Sequence, residues 1–320
     1  MLLSSIMRRS LFILVILALL FDSCRKQITD FECPAFDPVP VLNAVLVEGG
    51  LVKMHLSFAQ SLDSIHPAYC DKAEVMLYED GKLTECLQYD GDGFYRGETR
   101  VKSNHEYACK VVIPDHDTLF ARTFAPARPI VKDLEVLENA TVNEEGQSFP
   151  AILVTFKNDL SKELYFTVNL DAFFRTDYES GSYSTMNGTI YSSINTDDPV
   201  LLNEGSEILL FSNEIISDSI YKLKINASFS SYSSFDTGDS NGSIVSKSGY
   251  VVLRMLGLSE SCYQYIKSQA AFVEPDAYTN LFLGTVTPLN TYSNVKNGMG
   301  VFAAIAPVTL DTLYFHSKNE

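Results

Sequence analysis

The amino-acid sequence predicts a mostly β protein with an N-terminal β-sandwich, a second β domain and one amphipathic helix. Short segments of alternating apolar and polar residues recur with turn residues about every ten positions, which is typical of a sandwich. A break containing Pro126 and Pro129 separates residues 41–126 from residues 131–320. One segment, residues 259–273, carries apolar side chains at helical spacing instead.

The first 23 residues are typical of a signal peptide. Arg8 and Arg9 provide the positive start, and residues 11–21 form an unbroken apolar run. That length suits a signal and is short for a membrane span. Ser23 followed by Cys24 resembles a bacterial lipobox, in which the cysteine thiol is lipid-modified and the signal is cut before it. The sequence therefore predicts lipidation at Cys24, which would make membrane lipid a partner.

An ordinary signal peptide with an incidental cysteine is the alternative, because Asp22 occupies a position that is usually small or apolar. No other run approaches 18 apolar residues, so the lipid is the only membrane contact that the sequence predicts. Residues 24–40 contain three prolines and no periodicity. We interpret them as a tether between the lipid and the first domain.

The composition is acidic, with a formal net charge of −16. The signal holds two arginines and one aspartate, so the 297 residues left after 23 of the 320 are removed carry −17. This charge disfavours binding to nucleic acid or anionic lipid through a general field, and we expect no nucleic-acid partner. The length is sufficient for two domains.

The first domain, residues 41–126, contains two clear hairpin signals. Gly49-Gly50 separates strand-like residues 42–48 from 51–57. Asp80-Gly81 separates residues 73–78 from 83–87. Further strand-like segments follow at 94–98 and 106–113.

The second domain, residues 131–320, continues in β structure before and after one helix. Its strand-like segments are 152–156, 163–170, 208–211, 220–225 and 249–255. Ser259 can N-cap the helix with Glu260 in its first turn. The apolar stripe on this helix is Cys262, Ile266, Ala270 and Val273, and Pro275 ends it.

Five cysteines follow Cys24, and we assign no disulfide to them. Their number is odd and their spacing is wide. If the turn is Asp80-Gly81, Cys86 lies opposite Val75 and not Cys70. Cys109 alternates in phase with apolar neighbours, which predicts a buried free thiol.

No catalytic constellation is evident, and we predict neither enzymatic activity, nor a cofactor, nor a bound metal. The five histidines fall in no hydrolase or zinc motif. Asp115-His116-Asp117 could ligate a metal, but a solvated hairpin turn is the favoured interpretation. Residues 236–242 are rich in oxygen ligands but lack the EF-hand spacing, so a polar loop is favoured over a calcium site.

Two segments, residues 175–188 and 228–238, mix aromatic residues with Ser, Gly and Asn. Binding loops use this mixture, because aromatics give contact area and small polar residues give adaptable hydrogen bonds. An ordinary surface loop or strand edge is the alternative. The candidate ligand-binding residues are Tyr178, Tyr183, Tyr191, Phe229, Tyr232 and Phe235.

Residues 292–302 are interpreted as structural. Asn297-Gly298 favours a tight turn, which would join residues 291–295 and 301–305 as the closing strand pair of the second domain. Val301 or Phe302 would then be buried against the helix. A hinge or a ligand loop is the alternative, since Gly298 and Gly300 allow a partner to approach closely.

Segments spread over both domains resemble the Bacteroidota lipoprotein family known as domain of unknown function 4249. They are residues 45–48, 73–81, 92–96, 124–126, 210–214, 258–268 and, most specifically, 292–302. The resemblance covers nearly the whole mature chain. It implies an immunoglobulin/transthyretin-like sandwich followed by a second β domain, in an outer-membrane lipoprotein. It supplies no catalytic residue.

Members of that family often accompany TonB-dependent β-barrel transporters, so the resemblance implies such a partner. Asp30 and Glu32 resemble the acidic tag that directs Bacteroidota lipoproteins to the cell surface. Attachment at the periplasmic face of the outer membrane is the alternative. The leading hypothesis is a non-enzymatic accessory or ligand-binding partner of a transporter. The alternatives are a structural or adhesive surface protein and a surface hydrolase.

Overall fold

The computed structural model describes residues 38–60, 64, 66–142, 146, 148–190, 197–204, 209–226, 244–273 and 291–318. The signal peptide, Cys24 and most of the tether lie outside them. The described residues are mostly β, as predicted, with one large sheet, one smaller sheet and two helices. They belong to one compact unit that excludes the first 37 residues, so a chain that begins at Arg25 retains the whole described fold.

The described residues form sixteen strands. In chain order they are β1 Pro40–Val47, β2 Leu51–Phe58, β3 Ala68–Tyr69, β4 Glu74–Glu79, β5 Lys82–Tyr89, β6 Phe94–Arg100, β7 Glu106–Val112, β8 Leu119–Phe124, β9 Val131–Val142, β10 Ser148–Lys157, β11 Tyr165–Tyr178, β12 Tyr183–Ile190, β13 Leu210–Ser212, β14 Ile220–Asn226, β15 Ile244–Leu258 and β16 Met299–Lys318.

The described helices are α1, Pro199–Glu204, and α2, Glu260–Val273. The helix predicted over residues 259–273 is confirmed as α2. The sequence did not predict α1, because six residues are too few to show a helical period. Neither helix is long and apolar enough to cross a membrane.

The large sheet has the strand order β12-β11-β15-β16-β1-β2-β6-β5-β4-β7-β8, with β13 and β3 attached at its sides. The smaller sheet has the order β14-β10-β9. Both predicted hairpins are confirmed, β1–β2 and β4–β5. At the second turn Asp80 and Gly81 have φ of 49° and 76°, the left-handed region that such a turn requires.

Three clusters of buried side chains form the core. The first lies among the strands of residues 40–125 and includes Leu42, Met54 and Tyr107. The second includes Phe156 on β10 and Leu253 on β15, so it fills the space between the smaller sheet and the second half of the large sheet. The third lies beneath α2, on the other face of the large sheet.

Strand β16 joins the two halves of the large sheet. Its first residues pair in parallel with β1, from Val41 opposite Met299 to Val47 opposite Ile305. From Ile305 onward it pairs antiparallel with β15 instead. Successive side chains of a strand point to opposite faces, so Phe302 enters the first core while Val301 lies under α2.

The predicted turn at Asn297-Gly298 does not join two strands, and that prediction was wrong. Residues 291–294 form no strand, and Lys296 makes only an isolated bridge to Phe120 on β8. The reason is Asn294, whose side-chain amide accepts a hydrogen bond from Phe302 N at 2.9 Å and donates one to Phe302 O at 2.8 Å. The Asn294 side chain therefore forms the hydrogen bonds to the Phe302 backbone that the expected neighbouring strand would have formed. Burial of Val301 against the helix is confirmed.

Gly300 shows why this segment contains glycine. Its φ is +108°, and a Cβ atom there would lie 2.1 Å from the carbonyl oxygen of Leu42 on β1. Only glycine allows the two strands to approach this closely. Gly300 thus allows β1 and β16 to pair.

The cysteine predictions are partly corrected. A bulge between Leu77 and Tyr78 shifts the β4–β5 register by one residue, so Cys86 lies opposite Met76 and not Val75. Cys109 is a buried free thiol, as predicted, and burial raises its pKa to about 12. Asp115 to Asp117 form an exposed turn between β7 and β8, which confirms the hairpin interpretation.

The burial of Phe302 predicts a large effect of its truncation. We expect Phe302→Ala to lower the free energy of unfolding of the chain that begins at Arg25 by about 3–5 kcal/mol, because a fully buried ring leaves a cavity. Met299→Ala on the same strand is the control: its side chain is 51% exposed, so a change of no more than about 0.5 kcal/mol is expected. Urea denaturation measures both. Equal stability of Phe302→Ala and wild type would contradict the assigned core.

Candidate functional site

Helix α2 is held in place at its N-terminus by Ser259. The Ser259 hydroxyl accepts a hydrogen bond from Cys262 N at 3.2 Å, which is the predicted N-cap. The same oxygen accepts from Ala304 N at 3.0 Å, and Ser259 N donates to Ala304 O at 2.9 Å. Ser259 therefore both begins α2 and extends the backbone pairing of β15 with β16.

Ser261 ties the helix to the first half of the chain. Its hydroxyl donates to Phe302 O at 3.0 Å and lies 3.0 Å from the hydroxyl of Thr123 on β8. All three residues are buried. A buried, satisfied hydroxyl network has few alternative arrangements, so it fixes the position of α2 relative to β8 and β16.

Glu204, the last residue of α1, is the most enclosed carboxylate near α2. Its side chain is only 3% exposed. One carboxylate oxygen accepts from the Tyr263 hydroxyl at 2.5 Å and from Lys267 Nζ at 2.8 Å. The other accepts from Ser212 N at 2.8 Å and from the Ser212 hydroxyl at 3.0 Å. Tyr263 and Lys267 are four residues apart, so they project from the same face of α2.

The neighbours of Glu204 keep it ionised. Burial alone would raise the pKa of its carboxyl, but the hydrogen bonds from Lys267, Tyr263 and Ser212 outweigh burial and hold that pKa below its ordinary value. The hydrogen bond to Glu204 in turn raises the pKa of Lys267. The pair is therefore charged at neutral pH. It links α1 and β13 to α2.

Tyr165 at the start of β11 stacks on Tyr263, with ring centroids 4.6 Å apart and planes inclined by 27°. Its hydroxyl donates to Glu163 at 3.0 Å. Burial first, and then the Glu163 carboxylate, raise the pKa of Tyr165, so the phenol stays neutral. The stacked pair forms a rigid aromatic wall beside the ion pair.

The loop before Tyr165, residues 158–164, is fixed by two asparagines. The Asn213 amide donates to Asn158 Oδ1 at 2.8 Å and accepts from Leu164 N at 2.9 Å. Asn158 donates to the carbonyl of Asp218 at 3.1 Å. Both asparagines are buried, and these bonds satisfy side-chain amides that would otherwise be costly to bury.

Two cavities adjoin this 158–164 loop. The first, which we call the polar cavity, has a volume of about 620 Å³ and lies between the loop, β13 and α2. The side chains that give it its polar character are Ser161, Lys162, Glu163, Asn213, Glu214, Gln264 and Lys267.

The second cavity, the apolar groove, has a volume of about 350 Å³. It lies between the loop and the connection from β8 to β9. Its apolar wall consists of Phe124, Pro126, Pro129, Ile130, Leu164 and Leu258. Lys162, Glu163 and Tyr165 line both cavities, so the two cavities are adjacent at these residues.

Two of the aromatic residues predicted to bind a ligand, Tyr178 and Tyr183, are described, and neither lines these cavities. Tyr178 bonds Ser184 at 3.2 Å, and the exposed Tyr183 stacks under the Arg175 guanidinium at 4.2 Å. Tyr178 is the last residue of β11 and Tyr183 is the first residue of the adjacent β12, so both lie roughly 40 Å from Tyr165 at about 3.3 Å per residue. The other four candidates, Tyr191, Phe229, Tyr232 and Phe235, lie outside the described residues, as does the segment 236–242.

The sequence reasoning missed Glu204, Tyr263, Lys267 and Tyr165. One signal was present, since Tyr263 and Lys267 have the i, i+4 spacing within the resembled segment 258–268. No sequence period connects them to Glu204, which lies 59 residues before Tyr263. The resembled segments 210–214 and 258–268 contribute the opposite walls of the polar cavity.

One group of side chains elsewhere has ligand atoms close enough to hold a metal ion, namely Glu79, Asp80 and His105, within 4.8 Å of one another among the described residues. Lys102 Nζ already lies 2.8 Å from the Glu79 carboxylate, and His105 bonds Asp80 at 2.6 Å. Both carboxylates are thus already bonded by the chain's own side chains, Lys102 and His105.

A family model described as domain of unknown function (DUF4249) matches residues 28–311. The match includes every residue named at the two cavities. No curated protein matches the chain.

The Glu204 network predicts a pH-dependent contribution to stability. A depressed pKa stabilises the fold above the pKa of the unfolded glutamate, about 4.3, and this contribution is lost as pH falls through the folded pKa. We expect Glu204→Gln to lower the free energy of unfolding by about 1–3 kcal/mol at pH 7, since it breaks charge-assisted bonds at a buried site. The difference from wild type should shrink as pH falls below about 4.3.

Urea midpoints at a series of pH values measure this effect. Glu214→Gln is the matched control, because the Glu214 side chain lines the polar cavity and is exposed, whereas Glu204 is buried. It should change stability by no more than about 0.5 kcal/mol at any pH. A constant offset between Glu204→Gln and wild type from pH 7 to pH 3 would mean that the Glu204 carboxylate carries no such charge interaction.

Proposed function

We propose that this chain, which belongs to the DUF4249 family over residues 28–311, is an outer-membrane Bacteroidota lipoprotein that binds a ligand without transforming it. In this proposal a lipid on Cys24 anchors the chain at the cell surface. A TonB-dependent β-barrel transporter in the same membrane is its partner.

The observation that carries the proposal is the pair of adjacent cavities that share Lys162, Glu163 and Tyr165 in their walls. Ligand sites are concave, combine an apolar wall with a few placed polar groups and are largely preformed. The apolar groove and the polar cavity together meet this description. The asparagine pair and the Ser259–Ser261 network hold their walls in place before any ligand arrives. Preformed walls reduce the entropic cost of binding.

The chemistry of Glu204 and Cys262, which adjoin residues that line the polar cavity, supports binding more than catalysis. A general acid at neutral pH needs a raised carboxyl pKa, whereas the pKa of Glu204 is lowered and both of its oxygens already accept hydrogen bonds. The Cys262 thiol on α2 is buried, and burial raises its pKa to about 12, the reverse of an activated nucleophile. These groups hold α2 in place.

The lipid anchor places the cavities within reach of a membrane partner. Residues 25–39 connect Cys24 to β1, and fifteen residues can span at most roughly 50 Å. The described unit would then remain close to the membrane surface. A barrel in that membrane would then lie within reach of the unit.

A structural or adhesive role is the second candidate, and one feature favours it. Phe173, Tyr250 and Tyr314 are direct neighbours across β11, β15 and β16, with ring centroids 5.4 and 6.2 Å apart. Tyr314 is 81% exposed. Contiguous exposed aromatics mark interaction surfaces.

The proposal predicts recovery of a transporter. The full chain, tagged at its C-terminus and purified from detergent-solubilised outer membranes, should copurify a TonB-dependent barrel identified by mass spectrometry. Cys24→Ser should abolish both membrane attachment and copurification, because the lipid is the predicted anchor. Tyr314→Ala is the control for the neighbouring aromatics Phe173, Tyr250 and Tyr314, and it should still copurify the barrel.

Two results would count against the proposal. The absence of any barrel from the wild-type preparation would remove the transporter partner. Retention of the partner by Cys24→Ser together with its loss from Tyr314→Ala would favour the adhesive surface instead.

A further inference from the structure

The charged side chains that line the two cavities are equal in number and opposite in sign. The apolar groove is lined by three cations and three carboxylates, namely Arg128, Lys157, Lys162, Asp159, Glu163 and Glu260. The polar cavity is lined by two of each, namely Lys162, Lys267, Glu163 and Glu214. The whole chain has 40 acidic and 24 basic residues, so this balance is local to the cavities. Walls without an excess of either sign favour an uncharged occupant over an ion.

The cations of both cavities already interact with carboxylates of the chain. Hydrogen bonds from Ser161 first, and then the charges of Lys162 and Lys157, lower the pKa of Asp159, so this carboxylate serves both lysines. An anionic head group would have to compete with it. The other two cations are in ion pairs of their own, Arg128 with Glu48 and Lys267 with Glu204.

Two side chains of the polar cavity lack a partner within the described part of the chain. The exposed Glu214 is in no ion pair, and the half-buried Gln264 amide forms no side-chain hydrogen bond. A carboxylate only accepts hydrogen bonds, whereas an amide both donates and accepts. A hydroxyl can donate to the first and exchange bonds with the second, so an uncharged head group with several hydroxyls satisfies both.

The apolar groove favours a hydrocarbon occupant. Phe124 and Ile130 on its wall are both more than half exposed, next to the prolines of the β8–β9 connection. Exposed apolar side chains that border a cavity are typical of a site whose ligand is apolar. Lys162 and Glu163, which line both cavities, are exposed. A molecule that lies across them can therefore place one part in each cavity.

We propose that the two cavities together bind a neutral glycolipid, with its hydrocarbon chain against Phe124 and Ile130 and its sugar hydroxyls at Glu214 and Gln264. This inference rests on the proposed ligand-binding function and names the ligand class. A peptide would carry backbone polar groups into the groove, whose wall is made of apolar side chains. The volumes of about 350 and 620 Å³ both fall within the range of ligand pockets.

Isothermal titration of the chain that begins at Arg25 with octyl β-D-glucoside, below its micelle concentration, tests this ligand class. Methyl glucoside and octanol carry the head and the chain separately, and octanoate and octylammonium carry a charged head of either sign. We expect octyl glucoside to bind about ten-fold or more tightly than each of the four, because linking two parts that occupy adjacent cavities raises affinity.

Variants of each cavity separate the two contributions. Phe124→Ala should weaken the binding of both octyl glucoside and octanol. Glu214→Ala/Gln264→Ala should weaken octyl glucoside binding about ten-fold and leave octanol binding unchanged. Gln88→Ala/Glu98→Ala is the matched control, since it truncates the same two residue types at exposed positions outside both cavities, and it should bind like wild type. Urea midpoints establish that each variant is folded.

Three results would overturn the inference. They are the absence of octyl glucoside binding, binding of a charged amphiphile or of octanol as tight as that of octyl glucoside, and equal losses in the two double variants. A barrel recovered from membranes without octyl glucoside binding would reject the ligand class alone. Loss of the barrel with octyl glucoside binding intact would reject the transporter partner alone.

Discussion

The pairing of β16 with two different strands is the constraint on which the rest of the structure depends. Its first residues complete the sheet of the N-terminal half through β1, and its remaining length completes the other half through β15. Phe302 and Val301 then belong to cores on opposite faces. A change in β16 register by one residue would exchange those faces, so the pairing determines both cores together.

The same strand determines where the ligand cavities form. Where β15 no longer pairs with β16, the side chains of Ser259 and Asn294 form the hydrogen bonds to the β16 backbone. Ser259 is also the N-cap of α2. The start of α2 is therefore fixed by backbone groups of β16. From that start, the helix presents Tyr263 and Lys267 to Glu204 and forms one wall of the polar cavity. Sheet pairing, helix position and cavity shape are one connected set of contacts.

Local features of the fold were predictable from the sequence, and distant pairings were not. Asp80-Gly81 and Ser259 act on residues within a few positions, so the second hairpin and the start of α2 could be predicted. The bulge beside Leu77 leaves no signal in the residue composition or in the alternation of apolar residues, so the sequence did not predict it. The contact of Val301 N with the Asn43 side chain spans 258 residues. Tyr165 and Glu204 likewise contact Tyr263 of α2 over long sequence separations, which is why aromatic composition indicated the other end of β11 instead.

Native-state hydrogen exchange across a denaturant series tests the role of β16 most directly. If β16 holds both halves of the large sheet, the most protected amides of β1 and β15 should converge on one opening free energy, because neither strand can separate without β16. The protected amides of α2 should follow the same opening. Separate opening of β1, with β15 and α2 still fully protected, would contradict the account and show that the two halves are stable independently.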